Sequence, residues 1–182
     1  MIKIKKKRKI FNIAWSTMDL AKELTELPDD CVYKFISDGG FSSISFIKYI
    51  AEHTIVKELW ASTFRIGKKE LWWIDTLHKH GRIGMCHFAV GSLMKNDSKR
   101  VKQYGYYDRF VDVCNNNNWE YLTINNHSKI LLFDTEDGKF VIETSSNLNE
   151  NPKIEQFSFE KDAELFDFYC DVFKGWREED EG

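Results

Sequence analysis

Short apolar runs alternate with amphipathic segments along most of this 182-residue chain. Residues 31–37 (CVYKFIS) read as a buried strand, whereas residues 42–53 and 68–80 carry apolar side chains at helical spacing. Strand–helix alternation through residues 31–124 predicts an α/β fold, with a mixed, largely parallel sheet and helices on both faces. A hydrophobic content of 42% supplies the core of one domain spanning residues 1–182.

The rest of the chain continues this alternation. Further strands are predicted at residues 56–64, 83–90, 119–124, 130–133, 139–143 and 154–159, and further helices at 98–114 and 163–176. Residues 10–27 read as a short strand and a helix that Ser16 or Thr17 caps. The hairpin formed by the strands at 130–133 and 139–143 is expected to join the sheet at its edge or its centre.

The charges are unevenly distributed although the net charge is only −3. Residues 57–109 contain eleven Lys and Arg against five Asp and Glu, whereas residues 127–182 contain six against fifteen. Six more positive charges lie in residues 1–9, and residues 177–182 form an acidic tail. This asymmetry favours a polyanion such as nucleic acid as the partner of one face.

Other features of the sequence point to a cytoplasmic protein. No apolar run approaches the roughly 20 residues that cross a bilayer, so we expect no stable membrane association. No apolar segment follows the basic N-terminus, as a secretory signal would require. The four cysteines form no Cys-x-x-Cys pair and are expected to be buried, reduced thiols: Cys31, Cys86, Cys114 and Cys170.

Residues 127–155 combine hairpin signals with regularly spaced polar residues, which are His127, Lys129, Asp134, Ser145, Asn147 and Glu155. On an extended chain, His127 and Lys129 share one side roughly 6.5–7 Å apart. Ser145 and Asn147 share a side in the same way. An imidazole nucleophile with ammonium, hydroxyl and carboxamide donors suits a phosphodiester. The alternative is a surface hairpin that merely exposes a histidine and a lysine.

This pattern resembles the HKD motif of the phospholipase D superfamily, in which H-x-K is followed by four residues, an aspartate and later S-x-N. Thr144 stands where the family has a glycine, and nine residues separate Asp134 from it, against about six in the family. The difference predicts a longer hairpin. The strand–helix order also resembles one half of the phospholipase D fold.

The resemblance implies a specific chemistry. The family needs two HKD motifs and this chain has one, which is similar to single-motif bacterial and phage endonucleases that build the site across a homodimer. One His127 then attacks phosphorus to form a phosphohistidine, and the partner's His127 protonates the leaving oxygen. Lys129 and Asn147 hold the non-bridging oxygens with help from Ser145, while Glu155 orients the imidazole. Asp134 braces the hairpin, and neither metal nor cofactor is required.

Several alternatives remain at this point. His78, His80, Cys86 and His87 suggest zinc, but Cys86 and His87 are adjacent on a predicted strand and so face opposite ways. The aromatic residues Trp72, Trp73, Tyr104, Tyr106 and Tyr107 either stack on bases or belong to the core or a dimer interface. We expect a nuclease acting on DNA or RNA. The other candidates are a phospholipid phosphodiesterase and a catalytically weak dimeric nucleic-acid-binding or regulatory protein.

Overall fold

The computed structural model describes residues 7–14, 20, 24, 26–37, 39–95, 106–150 and 152–181. Its strands are β1 (Arg8–Ala14), β2 (Cys31–Ser37), β3 (Val56–Thr63), β4 (Ile83–Gly91), β5 (Glu120–Ile124), β6 (Ile130–Thr135), β7 (Gly138–Thr144) and β8 (Glu155–Lys161). Its helices are α1 (Ile44–His53), α2 (Lys68–Lys79), α3 (Tyr106–Asn116) and α4 (Ala163–Glu181). The predicted cap at Ser16 or Thr17, Tyr104, residues 1–6 and residues 98–105 of the predicted fourth helix lie outside the described residues.

The strands form one sheet in the order β1-β2-β8-β7-β6-β3-β4-β5. The mixed α/β class is confirmed, but the expectation of a largely parallel sheet is wrong. In the described part of the chain, three neighbouring pairs are parallel and four are antiparallel. The reason is the position of the hairpin: β6, β7 and β8 lie between β2 and β3, at the centre of the sheet.

Alternation along the strands divides the core between two faces. Leu131 and Phe133 of β6 pack with α1, α2 and α3, whereas Leu132 points to the opposite face and packs under α4. The larger face buries, among others, Phe35, Ile47, Leu59, Ile74, Phe88, Phe110 and Phe159. The α4 face buries Trp60, Ala89, Leu132, Val141, Phe166, Cys170 and Phe173. Helices on both faces are therefore confirmed.

The β6–β7 hairpin is long because its strands are long. Thr135 pairs with Gly138, so only Glu136 and Asp137 form the turn, and Gly138 adopts a φ of 129°. That left-handed backbone favours glycine, as the sequence indicated. The nine residues between Asp134 and Thr144 therefore extend paired strand instead of forming a loop.

One edge of the sheet collects the ends of most strands. The carboxyl ends of β2, β3, β4, β5 and β7 meet the amino ends of β6 and β8 there, because β6 and β8 run antiparallel to their neighbours. We call this the motif edge; it contains the termini Ser37, Thr63, Gly91, Ile124, Ile130, Thr144 and Glu155. No helix among the described residues is long and apolar enough to cross a bilayer.

Candidate functional site

The side chain of Asn126 holds the segment that carries His127. Asn126 is buried, and its amide nitrogen donates to the Ser62 hydroxyl at 2.7 Å and the Ala89 carbonyl at 3.0 Å. Its amide oxygen accepts hydrogen bonds from the backbone N–H and the hydroxyl of Ser128, at 2.8 and 2.7 Å. A buried amide with both ends bonded specifies one backbone path. His127 therefore projects from a defined position, and its side chain is exposed.

His127 and Lys129 contact each other at the motif edge. Lys129 Nζ lies 3.1 Å from His127 Nδ1 and donates to the His127 carbonyl at 2.6 Å. The two residues lie just before β6, so the lysine side chain folds back over the histidine instead of standing parallel to it on a strand. Burial lowers the pKa of the Lys129 ammonium, and the negative charge of Glu155 acts in the opposite direction. A partly dehydrated ammonium beside an imidazole favours an anionic ligand.

Ser145 and Glu155 form a second contact at the same edge. Ser145 follows the end of β7, and Glu155 begins the adjacent antiparallel strand β8. The Ser145 hydroxyl donates to Glu155 Oε2 and accepts the Gln156 N–H at 3.1 Å. Glu155 is buried, and its backbone N–H donates to Ser37 Oγ of β2 at 3.1 Å. The serine is thus held between a buried carboxylate and a strand amide.

Asn147 is turned toward the end of β3. Its amide oxygen accepts the Phe64 backbone N–H at 3.2 Å and the Thr63 hydroxyl at 3.5 Å. This orients the amide, with its donating nitrogen on the opposite side. The Phe64 ring in turn lies 5.3 Å, centroid to centroid, from the His127 ring. Phe64 therefore connects the carboxamide predicted for the site to the histidine.

Thr144 connects the two halves of the site, and Asp134 lies away from it. The Thr144 N–H donates to the Lys129 carbonyl at 3.1 Å, which continues the β6–β7 pairing beyond Ile130. Asp134 lies near the other end of β6, opposite Lys139, with its carboxylate 4.0 Å from Lys57 Nζ. The motif edge thus brings together the other predicted site residues: His127, Lys129, Ser145, Asn147 and Glu155.

The sequence interpretation missed the residues that position these side chains. They are Ser37, Ser62, Phe64, Asn126 and Ser128. Asn126 and Ser128 flank the histidine, and an Asn that bonds the backbone two residues onward is a recognised local signal. Ser62 and Phe64 carry no such signal, because they lie more than sixty positions from His127 in the sequence.

The residues considered for zinc do not converge. Cys86 is buried in the core on the side of α1, α2 and α3. His87 lies on the α4 side, where its ring stacks on Trp60 with the ring centroids 3.7 Å apart. The opposite orientations expected for these neighbours are confirmed. His78 Nδ1 lies 3.0 Å from the carbonyl oxygens of Ile83 and Gly84. Across the described ranges, no three His, Cys, Asp or Glu side chains form a group that could hold a metal ion.

The cysteines are free thiols, as expected, although they are not equally buried. Three are buried and Cys31 is half-buried. Burial raises the pKa of Cys114 and of Cys170 to about 12. Thiols with such a high pKa are poor nucleophiles at neutral pH.

Comparison with solved structures relates this architecture to known proteins. Nuc, a phospholipase D family member from Salmonella typhimurium, aligns with a TM-score of 0.55 and 11% identity over 80% of this chain and 93% of Nuc. An archaeal chromatin protein that binds DNA, TrmBL2, aligns with a TM-score of 0.57 and 14% identity over 89% of this chain and 57% of that one. Phosphatidylserine synthase from Haemophilus influenzae gives a TM-score of 0.53 and 16% identity over 79% and 37% of the two chains.

At these identities, the comparisons show a shared fold. This chain spans little more than half of the chromatin protein and a smaller part of the synthase. No family model matches the sequence, and no curated protein matches it.

Proposed function

We propose that this chain, which has the fold of the phospholipase D superfamily, is a metal-independent phosphodiesterase that cleaves nucleic acid. One observation carries the proposal: two segments that bear the predicted site residues are adjacent at the motif edge. The His127–Lys129 contact lies directly beside the Ser145–Glu155 contact, because Thr144 bonds Lys129 across the hairpin. A nucleophile and cationic donors held together in this way suit a phosphodiester anion.

The proposed reaction has two displacements at phosphorus. His127 attacks the phosphodiester, an N–P bond forms, and the leaving oxygen takes a proton from the partner's His127. The partner's His127 then removes a proton from water, whose oxygen attacks the phosphohistidine and releases a phosphomonoester. The Lys129 ammonium and the Asn147 amide nitrogen bind the non-bridging oxygens. Proton transfer by a positioned histidine contributes about 10²–10⁴-fold to rate.

Glu155 is proposed to act through charge and position. The negative charge of its buried carboxylate acts to raise the pKa of Lys129, and the carboxylate accepts a hydrogen bond from the Ser145 hydroxyl. In the family to which the motif is similar, the corresponding acid orients the imidazole, and we propose that role for Glu155 toward a histidine at the shared site. Ser145 then fixes the carboxylate and reaches the phosphate only by exchanging that hydrogen bond.

Two histidines require two copies of the chain, so the proposal includes a homodimer. Exposed apolar side chains beside Glu155 support an interface here: Ile36 is 48% exposed and Ile154 is 68% exposed. Light scattering is expected to give a mass twice 21.5 kDa. Ile154→Lys should shift the protein toward monomer, whereas Phe168→Lys on α4, where Phe168 is 60% exposed, should not. A monomer that still cleaves a diester would contradict the shared site.

The substrate assignment rests on charge and on one structural neighbour. Residues 57–109 are strongly basic, and the DNA-binding chromatin protein shares the fold. That neighbour also supports a second candidate, a nucleic-acid-binding protein without turnover. A third candidate, phospholipid chemistry, takes its support from the fold shared with phosphatidylserine synthase.

A cleavage assay in EDTA separates these candidates. Plasmid, single-stranded DNA, RNA and phospholipid vesicles are incubated with wild type, His127→Ala and His80→Ala. His80 is an exposed histidine at the end of α2 and serves as the matched control. We expect nucleic acid to be cleaved by wild type and His80→Ala but not by His127→Ala. Loss of activity in EDTA with recovery in magnesium would contradict the proposed mechanism, and binding without any cleavage would favour the second candidate.

A further inference from the structure

We infer that single-stranded nucleic acid leaves the site along a strip of basic and aromatic side chains on the β3–β4–β5 side of the motif edge. This inference rests on the proposed function, because it takes the phosphate at His127 as the starting point. The basic aromatic strip consists of Phe64, Arg65, Lys68, Lys95, Tyr106 and Tyr107.

Three cation-over-ring pairs form the basic aromatic strip. The Arg65 guanidinium lies 5.3 Å from the centre of the Phe64 ring. Lys68 Nζ lies 4.9 Å from the Tyr106 ring centre, and Lys95 Nζ lies 5.9 Å from that of Tyr107. Such pairs hold positive charge at the faces of rings, so each pair places a phosphate-binding cation beside an aromatic ring.

The course of the chain places all three pairs at the motif edge. Phe64 and Arg65 directly follow β3, Lys68 begins α2, and Lys95 comes four residues after β4. Tyr107 is anchored at the end of β5, since its hydroxyl lies 2.9 Å from Thr123 Oγ1. The strip therefore extends across the ends of three adjacent parallel strands.

The strip begins at the proposed catalytic residue. The Phe64 ring lies 5.3 Å from the His127 ring, and its backbone N–H bonds Asn147. A phosphate bound by His127 and Lys129 thus has an aromatic ring beside it, where the neighbouring base would lie. A phospholipid headgroup offers no such base.

Exposure and charge favour an unpaired strand as the occupant. Arg65, Lys68 and Lys95 are exposed, whereas the three rings are half-buried. Half-buried rings can stack on bases only when the base faces are accessible, which holds in single strands and not in a closed duplex. The segment from residue 127 onward is acidic and repels a polyanion, so the basic side of the edge is the electrostatically favoured path.

Binding measurements on the full-length His127→Ala protein test the strip. Fluorescence anisotropy is recorded with a labelled single-stranded oligonucleotide, its duplex and an abasic version, across a salt series. On this background the variants are Lys68→Ala with Lys95→Ala, and Phe64→Leu. Two matched controls are Lys57→Ala, an exposed lysine at the opposite end of β3, and Phe168→Leu, an exposed aromatic on α4.

We expect the single strand to bind more tightly than the duplex. The double lysine variant should reduce the slope of log K against log salt by about 1.4, since each contact contributes about 0.7 on a single strand. Phe64→Leu should weaken binding about 5-fold or more on the normal oligonucleotide and much less on the abasic one. Both controls should bind like the parent.

Equal affinity for the duplex would overturn the strip, and so would an effect of Lys57→Ala as large as that of the double lysine variant. Binding of the parent to anionic vesicles and not to oligonucleotide would identify a lipid surface instead. If the variants lose binding as expected but wild type cleaves no diester, the strip stands and the proposed function fails. If wild type cleaves DNA and the variants bind normally, the proposed function stands and the strip fails.

Discussion

Replacing Gly91 by alanine is expected to disable the candidate site while leaving the fold intact. Gly91 ends β4, and a Cβ there would lie 2.8 Å from both a ring carbon and the carbonyl oxygen of Phe64, and 3.2 Å from the Asn126 carbonyl oxygen. The two 2.8 Å distances are too short for a Cβ, so Phe64 must move, and the Asn126 carbonyl must give way by a few tenths of an ångström. Phe64 contacts the His127 ring, and Asn126 precedes His127, so the displacement reaches the proposed nucleophile.

A second glycine on the same strand provides the matched control. A Cβ at Gly84 would lie 2.4 Å from the Lys57 carbonyl oxygen, at the far end of the β3–β4 pair. Both substitutions overpack the same two strands, and each should lower the free energy of unfolding by about 1–3 kcal/mol. In a protein of this size, each kcal/mol lowers Tm by about 2–4 °C. Both variants should therefore lose stability.

Only Gly91→Ala should lose catalysis, because a misplacement near 1 Å costs about 10²-fold in rate. Tm is followed by circular dichroism, and kcat for diester cleavage is measured where both variants are folded. The NMR resonances of the His127 imidazole report the displacement without relying on activity. Wild-type activity in Gly91→Ala, or an equal loss in Gly84→Ala, would show that the contacts of Gly91 do not position His127.

Three further predictions concern the pair of histidines, the buried amide and His87. The rate should follow a bell-shaped pH profile, because the proposed mechanism needs one neutral His127 and a protonated His127 of the partner subunit; a rate that only rises with pH would argue for a single histidine. Asn126→Ala should lower the free energy of unfolding, measured in urea, by about 2–4 kcal/mol, since it removes four hydrogen bonds and leaves buried partners unpaired. A change near zero would mean that this hydrogen-bond network contributes little to stability. Burial lowers the pKa of His87 below its ordinary 6.5, although Glu58 and Glu120 oppose this. The stability linked to neutral His87 is therefore present above pH 6.5 and is lost as pH falls toward the pKa of His87 in the folded protein. His87→Gln should flatten this part of the plot of unfolding free energy against pH. An unchanged slope would contradict the assignment of this pH dependence to His87.

Local periodicity made much of the secondary structure predictable. β2 has the bounds that its apolar run indicated, and the hairpin turn at Glu136 and Asp137 is followed directly by Gly138, where the chain needs a positive φ. The sequence also singled out His127, Lys129, Ser145 and Asn147, which lie at one edge of the sheet as a candidate site. All four lie just outside the strands, so the hairpin that joins β6 and β7 brings them together, and side-chain alternation along a strand does not.

The tertiary structure decided which strands are neighbours and how the site is supported. The chain places β6, β7 and β8 at the centre of the sheet, between β2 and β3, so antiparallel pairs replace parallel ones that alternation alone predicted. It also brings Ser62 and Phe64 to the segment around His127, which follows them by more than sixty residues. Strand order and such long-range contacts depend on the burial of two complete faces and on buried amides finding partners, and neither is a property of any short stretch of sequence.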